Sequence, residues 1–115
     1  MALPANPSEE MAVGPPFSAN LGRRSPSTVF IHGEVDMVTA PIMAARVRHV
    51  IDQNPKRLTL DLADMSFMDC SGVSVIAYAL RESPDHFEVV LRHPRQLTRT
   101  VLELTGMDGP CVIEV

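Results

Sequence analysis

Asp69-Cys70-Ser71-Gly72 sets a carboxylate, a thiol and a hydroxyl in consecutive positions and follows them with a glycine. Upstream, Leu58 to Leu62 alternates apolar and polar residues and reads as a buried strand; downstream, an apolar run to Leu80 reads as a helix opening near Ser71. Loops that leave the carboxyl ends of strands and open helices are where α/β proteins usually place function. Asp69 is suited to cap that helix, where a carboxylate also meets the positive end of the macrodipole. Gly72 lets another backbone or a partner approach closely. Cys70 is the candidate nucleophile or redox group, and Ser71 the neighbouring hydroxyl. A cap of this kind is common, and starting a helix is already a sufficient role for it.

The spacing around Cys70 argues against catalysis. A cysteine-phosphatase loop needs an arginine six residues on to clamp phosphate, and that position is Ile76. No histidine stands nearby in sequence to act as base. A bridge to Cys111 is also disfavoured. Cys70 follows one strand and Cys111 begins another, so parallel strands would hold the thiols roughly 15–20 Å apart, whereas a disulfide needs Cα atoms within about 7 Å. His32, His49, His86 and His93 show no metal-ligand spacing. There is no glycine-rich phosphate loop, dinucleotide fingerprint or acidic metal cluster, so neither a cofactor nor a metal is expected. The reading is a docking surface and not an enzyme.

The remaining elements must position that loop. Residues 1–16 carry four prolines and little periodicity, which reads as a disordered tail ahead of one domain over 17–115. Phe17 to Leu21 suits a short edge strand, and Thr28 to Ile31 a strand running towards Gly33-Glu34-Val35-Asp36. Asp36 should then lie on the same sheet edge as Asp69, free to bond the loop, face a partner or sit solvated in a turn. Thr39-Ala40-Pro41 opens a helix with Thr39 as cap, and Met43, Val47, Val50 and Ile51 form its inner face. In the helix after Gly72, Val73, Ile76, Ala77 and Leu80 share one side while Val75 and Ala79 nearly fill the other, so heavy burial is expected. Phe87 to Leu91 is a strand. Leu97, Val101 and Leu104 point inward from a third helix stopped by Gly106, and Cys111 to Ile113 is the last strand. This alternation means α/β with a mixed, mostly parallel sheet and helices in the crossovers.

Composition narrows the partners. A net charge of −4 over 115 residues leaves no basic stripe for nucleic acid. No apolar run approaches a membrane span, and Pro4, Pro7, Glu9 and Glu10 occupy the region where a signal peptide would be basic and then apolar. Two cysteines are too few for a disulfide scaffold, so a cytoplasmic setting is expected.

From about Thr28 to Val115 the chain resembles the STAS domain, in particular bacterial anti-sigma-factor antagonists. Three features carry the likeness: Gly33-Glu34-Val35-Asp36 with Thr39-Ala40-Pro41; Leu60-Asp61-Leu62 with Met65-Ser66-Phe67-Met68-Asp69; and Ser71-Gly72 opening an apolar helix. Gly106-Met107 after the third helix agrees. The resemblance implies a single STAS domain that docks on an anti-sigma factor, a serine kinase of the histidine-kinase-like ATPase fold, and so frees a sigma factor. It implies partner contacts at Asp36, Met68, Asp69, Cys70, Ser71 and Gly72. The residue after the motif aspartate is usually a serine or threonine that the kinase phosphorylates and a serine phosphatase resets. Here that acceptor position is Cys70. Three readings follow: binding is constitutive, Ser71 has become the acceptor, or Cys70 makes the surface redox-sensitive. The first is favoured, since Ser71 points differently from its predecessor at a helix start. The family also continues into a C-terminal helix that this chain is expected to lack, leaving an apolar patch open to a homodimer or another partner. Alternatives are a STAS subunit of a transporter or stress-signalling assembly, and a thiol-based redox sensor using Cys70.

Overall fold

A computed structural model describes residues 17–83 and 85–115. The expected tail at 1–16, and Pro84 of the turn before the fourth strand, lie outside the described residues. Ser18–Leu21 forms β1, which pairs antiparallel with β2, Thr28–Val35. The chain then alternates: α1 (Ala40–Asp52), β3 (Arg57–Met68), α2 (Cys70–Glu82), β4 (Glu88–Arg92), α3 (Gln96–Thr105) and β5 (Val112–Glu114). The five strands lie in sequence order, and every pair after the first is parallel. This is the expected mixed, mostly parallel α/β architecture.

Burial follows the period of each element. In β2 the residues alternate, with Val29, Ile31 and Val35 buried and Phe30, His32 and Glu34 exposed. Met43, Val47 and Val50 of α1 join the inward strand residues in one core cluster, as their spacing predicts. That cluster supplies most of the stability, since burying a leucine- or valine-sized side chain is worth roughly 1.5–3 kcal/mol before entropy is subtracted.

Three local expectations need correction. Thr39 makes no side-chain cap for α1; its hydroxyl instead donates to the Glu34 carbonyl at 2.8 Å. The turn is capped from Asp36, three residues earlier, because the loop leaves β2 already coiling. The strand expected over Leu58–Leu62 runs on to Met68, so the loop before α2 shrinks to Asp69 and the helix starts at Cys70. The second half of β3 continues to pair with β2 across two register irregularities, and that shift hid its period.

The third correction concerns α3. Its buried residues are Thr98 and Leu102, whereas Leu97 and Leu104 are 75% and 82% exposed. His93 takes a left-handed φ of 54°, and Arg95 Nε donates to the Ala63 carbonyl at 2.9 Å. These anchors turn the helix so that Leu97 and Leu104 face outward, while Val101 stays half-buried against the core as expected. Gly106 ends α3 in the left-handed region, as expected of a helix stop. Helix α2 is also less enclosed than its composition suggests: Gly72, Val75, Ile76 and Ala79 are buried, while Val73, Ala77 and Leu80 are half-buried.

Both thiols are free; Cys70 is exposed and Cys111 is buried at the entry to β5. Burial, with Asp108 adding to it, pushes the Cys111 thiol from 9.0 up to about 11. The folded state therefore holds its proton longer than the unfolded chain. The stability it contributes is complete below about pH 9 and is lost as pH rises towards 11. Melting curves across that window should fall more steeply for the native protein than for Cys111→Ala. A thiol reagent at neutral pH should modify Cys70 at once and Cys111 only on unfolding.

Candidate functional site

The parallel pairing of β2 and β3 brings the two expected acidic loops to one sheet edge. Val35 stands opposite Met68, and the next residue, Asp69, donates its backbone N–H to the Val35 carbonyl at 3.1 Å. Each loop is then tied down by its own aspartate.

Asp36 Oδ1 accepts from the Val38 and Thr39 amides at 2.9 and 3.0 Å. In return, Thr39 Oγ1 accepts from the Asp36 amide at 2.9 Å, a reciprocal arrangement of the capping-box kind. The Thr39 amide, then the Val38 amide, hold the Asp36 carboxylate below its usual range, against a smaller opposing effect of desolvation. Asp36 thus holds its own turn, a role the sequence did not point to.

Asp69 caps α2 as expected, its Oδ1 accepting from the Ser71 amide at 2.7 Å. Its carbonyl accepts the Gly72 amide at 3.1 Å. Cys70 is the first residue of the helix and faces solvent; among the described residues no side chain bonds its thiol. Ser71 is half-buried. Consecutive helical residues diverge by about 100°, so the thiol and the Ser71 hydroxyl cannot present to one point.

Met68 and Gly72 are both buried, and they shape the surface from beneath. A Cβ on Gly72 would fall 2.7 Å from Met68 Sδ and 3.0 Å from Val35 Cγ1, and closer still to Met68 Cγ. The glycine is thus required for α2 to seat on the ends of β2 and β3.

The sequence reading passed over Met37 and Val38. They lie in the Asp36 turn and are 80% and 79% exposed, two large apolar side chains presented to water on a loop pinned by hydrogen bonds. Their signal was legible: apolar residues between a turn aspartate and Thr39, outside the inner face of α1. No cluster of three or more histidine, cysteine or acidic side chains able to hold a metal occurs among the described residues. No described helix is long and apolar enough to cross a membrane.

With this geometry in place, comparison with known proteins is decisive. The STAS domain family model matches residues 21–111. The chain belongs to the STAS domain family. Among relatives, this STAS domain is 30% identical over 80 residues to the anti-sigma-F factor antagonist RsfB of Mycobacterium tuberculosis. That match spans 68% of this chain and 64% of the relative's length. Among solved structures, it is similar to an anti-sigma factor antagonist of Mycobacterium paratuberculosis, with TM-score 0.69 and 26% identity over 87% of this chain and 85% of the other. It is also similar to the anti-sigma factor antagonist SpoIIAA in its unphosphorylated form, with TM-score 0.62 and 25% identity over 87% and 89% of the two chains. The phosphorylated form of SpoIIAA, a Bacillus cell fate determinant, superposes with the same TM-score at 24% identity over 87% and 92%, a likeness of fold.

Proposed function

We propose that this STAS domain is an anti-sigma-factor antagonist, a regulator of transcription that works by binding in the cytoplasm. It docks the Asp36 turn and the Asp69–Cys70–Ser71 helix start on an anti-sigma factor, a serine kinase of the histidine-kinase-like ATPase fold, and so releases a sigma factor. The observation that carries this reading is the shared edge, where two aspartate-pinned loops joined through Val35 and Asp69 present Met37, Val38 and Cys70 to solvent. Similarity to RsfB and SpoIIAA supports it.

The acceptor position is a thiol, so docking is constitutive. SpoIIAA is known in phosphorylated and unphosphorylated forms. In this domain the exposed group at the helix start is not a hydroxyl, and Ser71 stands one residue round the helix, half-buried. A phosphatase then has nothing to reset.

The test is a binding panel. Each serine kinase of the histidine-kinase-like ATPase fold encoded by the source organism is purified and titrated with this protein, with its sigma factor bound. At least one should bind and release its sigma factor. Binding by none, or capture only by transporter or scaffold subunits, would contradict the proposal.

A further inference from the structure

Where β2 and β3 begin, the face of the sheet opposite Val29, Leu58 and Leu60 bears Thr28, Arg57 and Thr59. Arg92 of β4 joins them, two positions beyond the partner of Thr59 in the ladder. Together with Lys56 and two serines of the β1–β2 turn, these residues line an open cavity of about 310 Å³. Its walls hold three cationic groups and four hydroxyls and, among the described residues, no carboxylate. The chain as a whole has the opposite balance, with a net charge of −4.

The cavity is held in shape by its own surroundings. The Ser25 and Ser27 carbonyls accept the Thr28 and Thr59 amides at 2.9 and 3.0 Å, which ties the turn to both strands. Glu88 and Glu114 fix Arg57 and Arg92 at Nε, each at 3.0 Å, without lining the cavity themselves. Asp61, opposite Arg92, accepts the Ala63 amide at 3.1 Å. The two threonines carry the argument. Thr28 and Thr59 stand directly opposite each other and are 4% and 3% exposed. Neither makes a side-chain hydrogen bond among the described residues, and no fully buried side-chain polar atom there lacks a partner. The little surface each keeps therefore includes its hydroxyl, which opens on the cavity. Buried hydroxyls are normally bonded, and two left for an incoming acceptor beside an ammonium and two guanidiniums suit a phosphate. We infer that this cavity binds the phosphate group of a small phosphomonoester. Lys56, Arg57 and Arg92 meet its charge, and the Thr28 and Thr59 hydroxyls donate to its oxygens. A volume at the lower end of the range for ligand pockets restricts the rest of the molecule to a short carbon skeleton. Met68 ends the strand that begins here, roughly 30 Å from Thr59 along β3, so this ligand and the docking partner bind without touching.

The test is a titration of the full chain followed by amide NMR, with inorganic phosphate, glycerol 3-phosphate and glycerol as probes. Both phosphates should shift the amides of Thr28, Thr59 and Arg92 saturably, the ester with a Kd of about 1 mM or tighter, and glycerol should not. Lys56→Gln, at an exposed position, should weaken the ester about tenfold, as for a hydrogen bond to a charged group. Thr59→Val keeps the shape of the side chain, removes the hydroxyl and should weaken the ester several-fold. Arg81→Gln, an exposed cation on α2 outside the cavity, should bind as the native protein does. The absence of saturable shifts with either phosphate would overturn the inference. So would equal weakening by Lys56→Gln and Arg81→Gln, which would mark a diffuse charge effect. Native affinity in a folded Thr59→Val would also overturn it, because the buried hydroxyls would then take no part.

Discussion

Gly72→Ala should destabilise the protein, although alanine for glycine in a helix ordinarily gains about 1 kcal/mol. The reversal comes from packing. The added Cβ would run into Met68 and reach Val35, both buried where β2 and β3 end. Relieving such contacts costs about 1–3 kcal/mol, with Gly72→Val at the upper end. In a domain of this size each kcal/mol lowers the melting temperature by roughly 4–8 °C. Because Met68 is the residue that must move and Asp69 follows it, docking should weaken as well. Thermal melts of both variants decide the matter. A stabilised Gly72→Ala would show that α2 seats with room to spare.

Cys70→Glu should separate stability from binding. A carboxylate at the first position of α2 meets the positive end of the helix dipole, so the fold should hold or tighten slightly. The same charge stands beside Asp69 on the surface proposed to dock, and it approximates part of the −1.5 to −2 charges that phosphorylation would add. Affinity for the kinase should fall at least about tenfold, a loss of roughly 1.4 kcal/mol or more. Cys70→Ser should bind as the native protein does. If Cys70→Glu also binds normally, position 70 lies outside the interface.

The architecture was legible because the strands and helices differ in period, and because Asp69 and Gly106 have clear local chemistry. What escaped had competing local solutions. On α3 the outward Leu97 and Leu104 are more apolar than the inward Thr98, while Val101 is half-buried against the core beside Leu102. Only the tertiary anchors at His93 and Arg95 choose between them. Thr39 looks like a cap by type, but Asp36 reaches the free amides first. The acidic half of the site could be read from the pairing of two strand ends. Its apolar half, Met37 with Val38, shows in the sequence as residues outside the inner face of α1, but how far they stand exposed is set by the fold.

The claim that this is a docking module whose phosphoswitch has been lost is tested most directly by phosphate transfer. The kinase that binds it is given labelled ATP with the native protein, Cys70→Ser and Ser71→Ala, and any phosphate is located by mass spectrometry. The expected result is no phosphate on the native protein or on Ser71→Ala, with phosphate at position 70 of Cys70→Ser and release of the kinase on its addition. Stoichiometric phosphate on Ser71 of the native protein, abolished in Ser71→Ala, would contradict it.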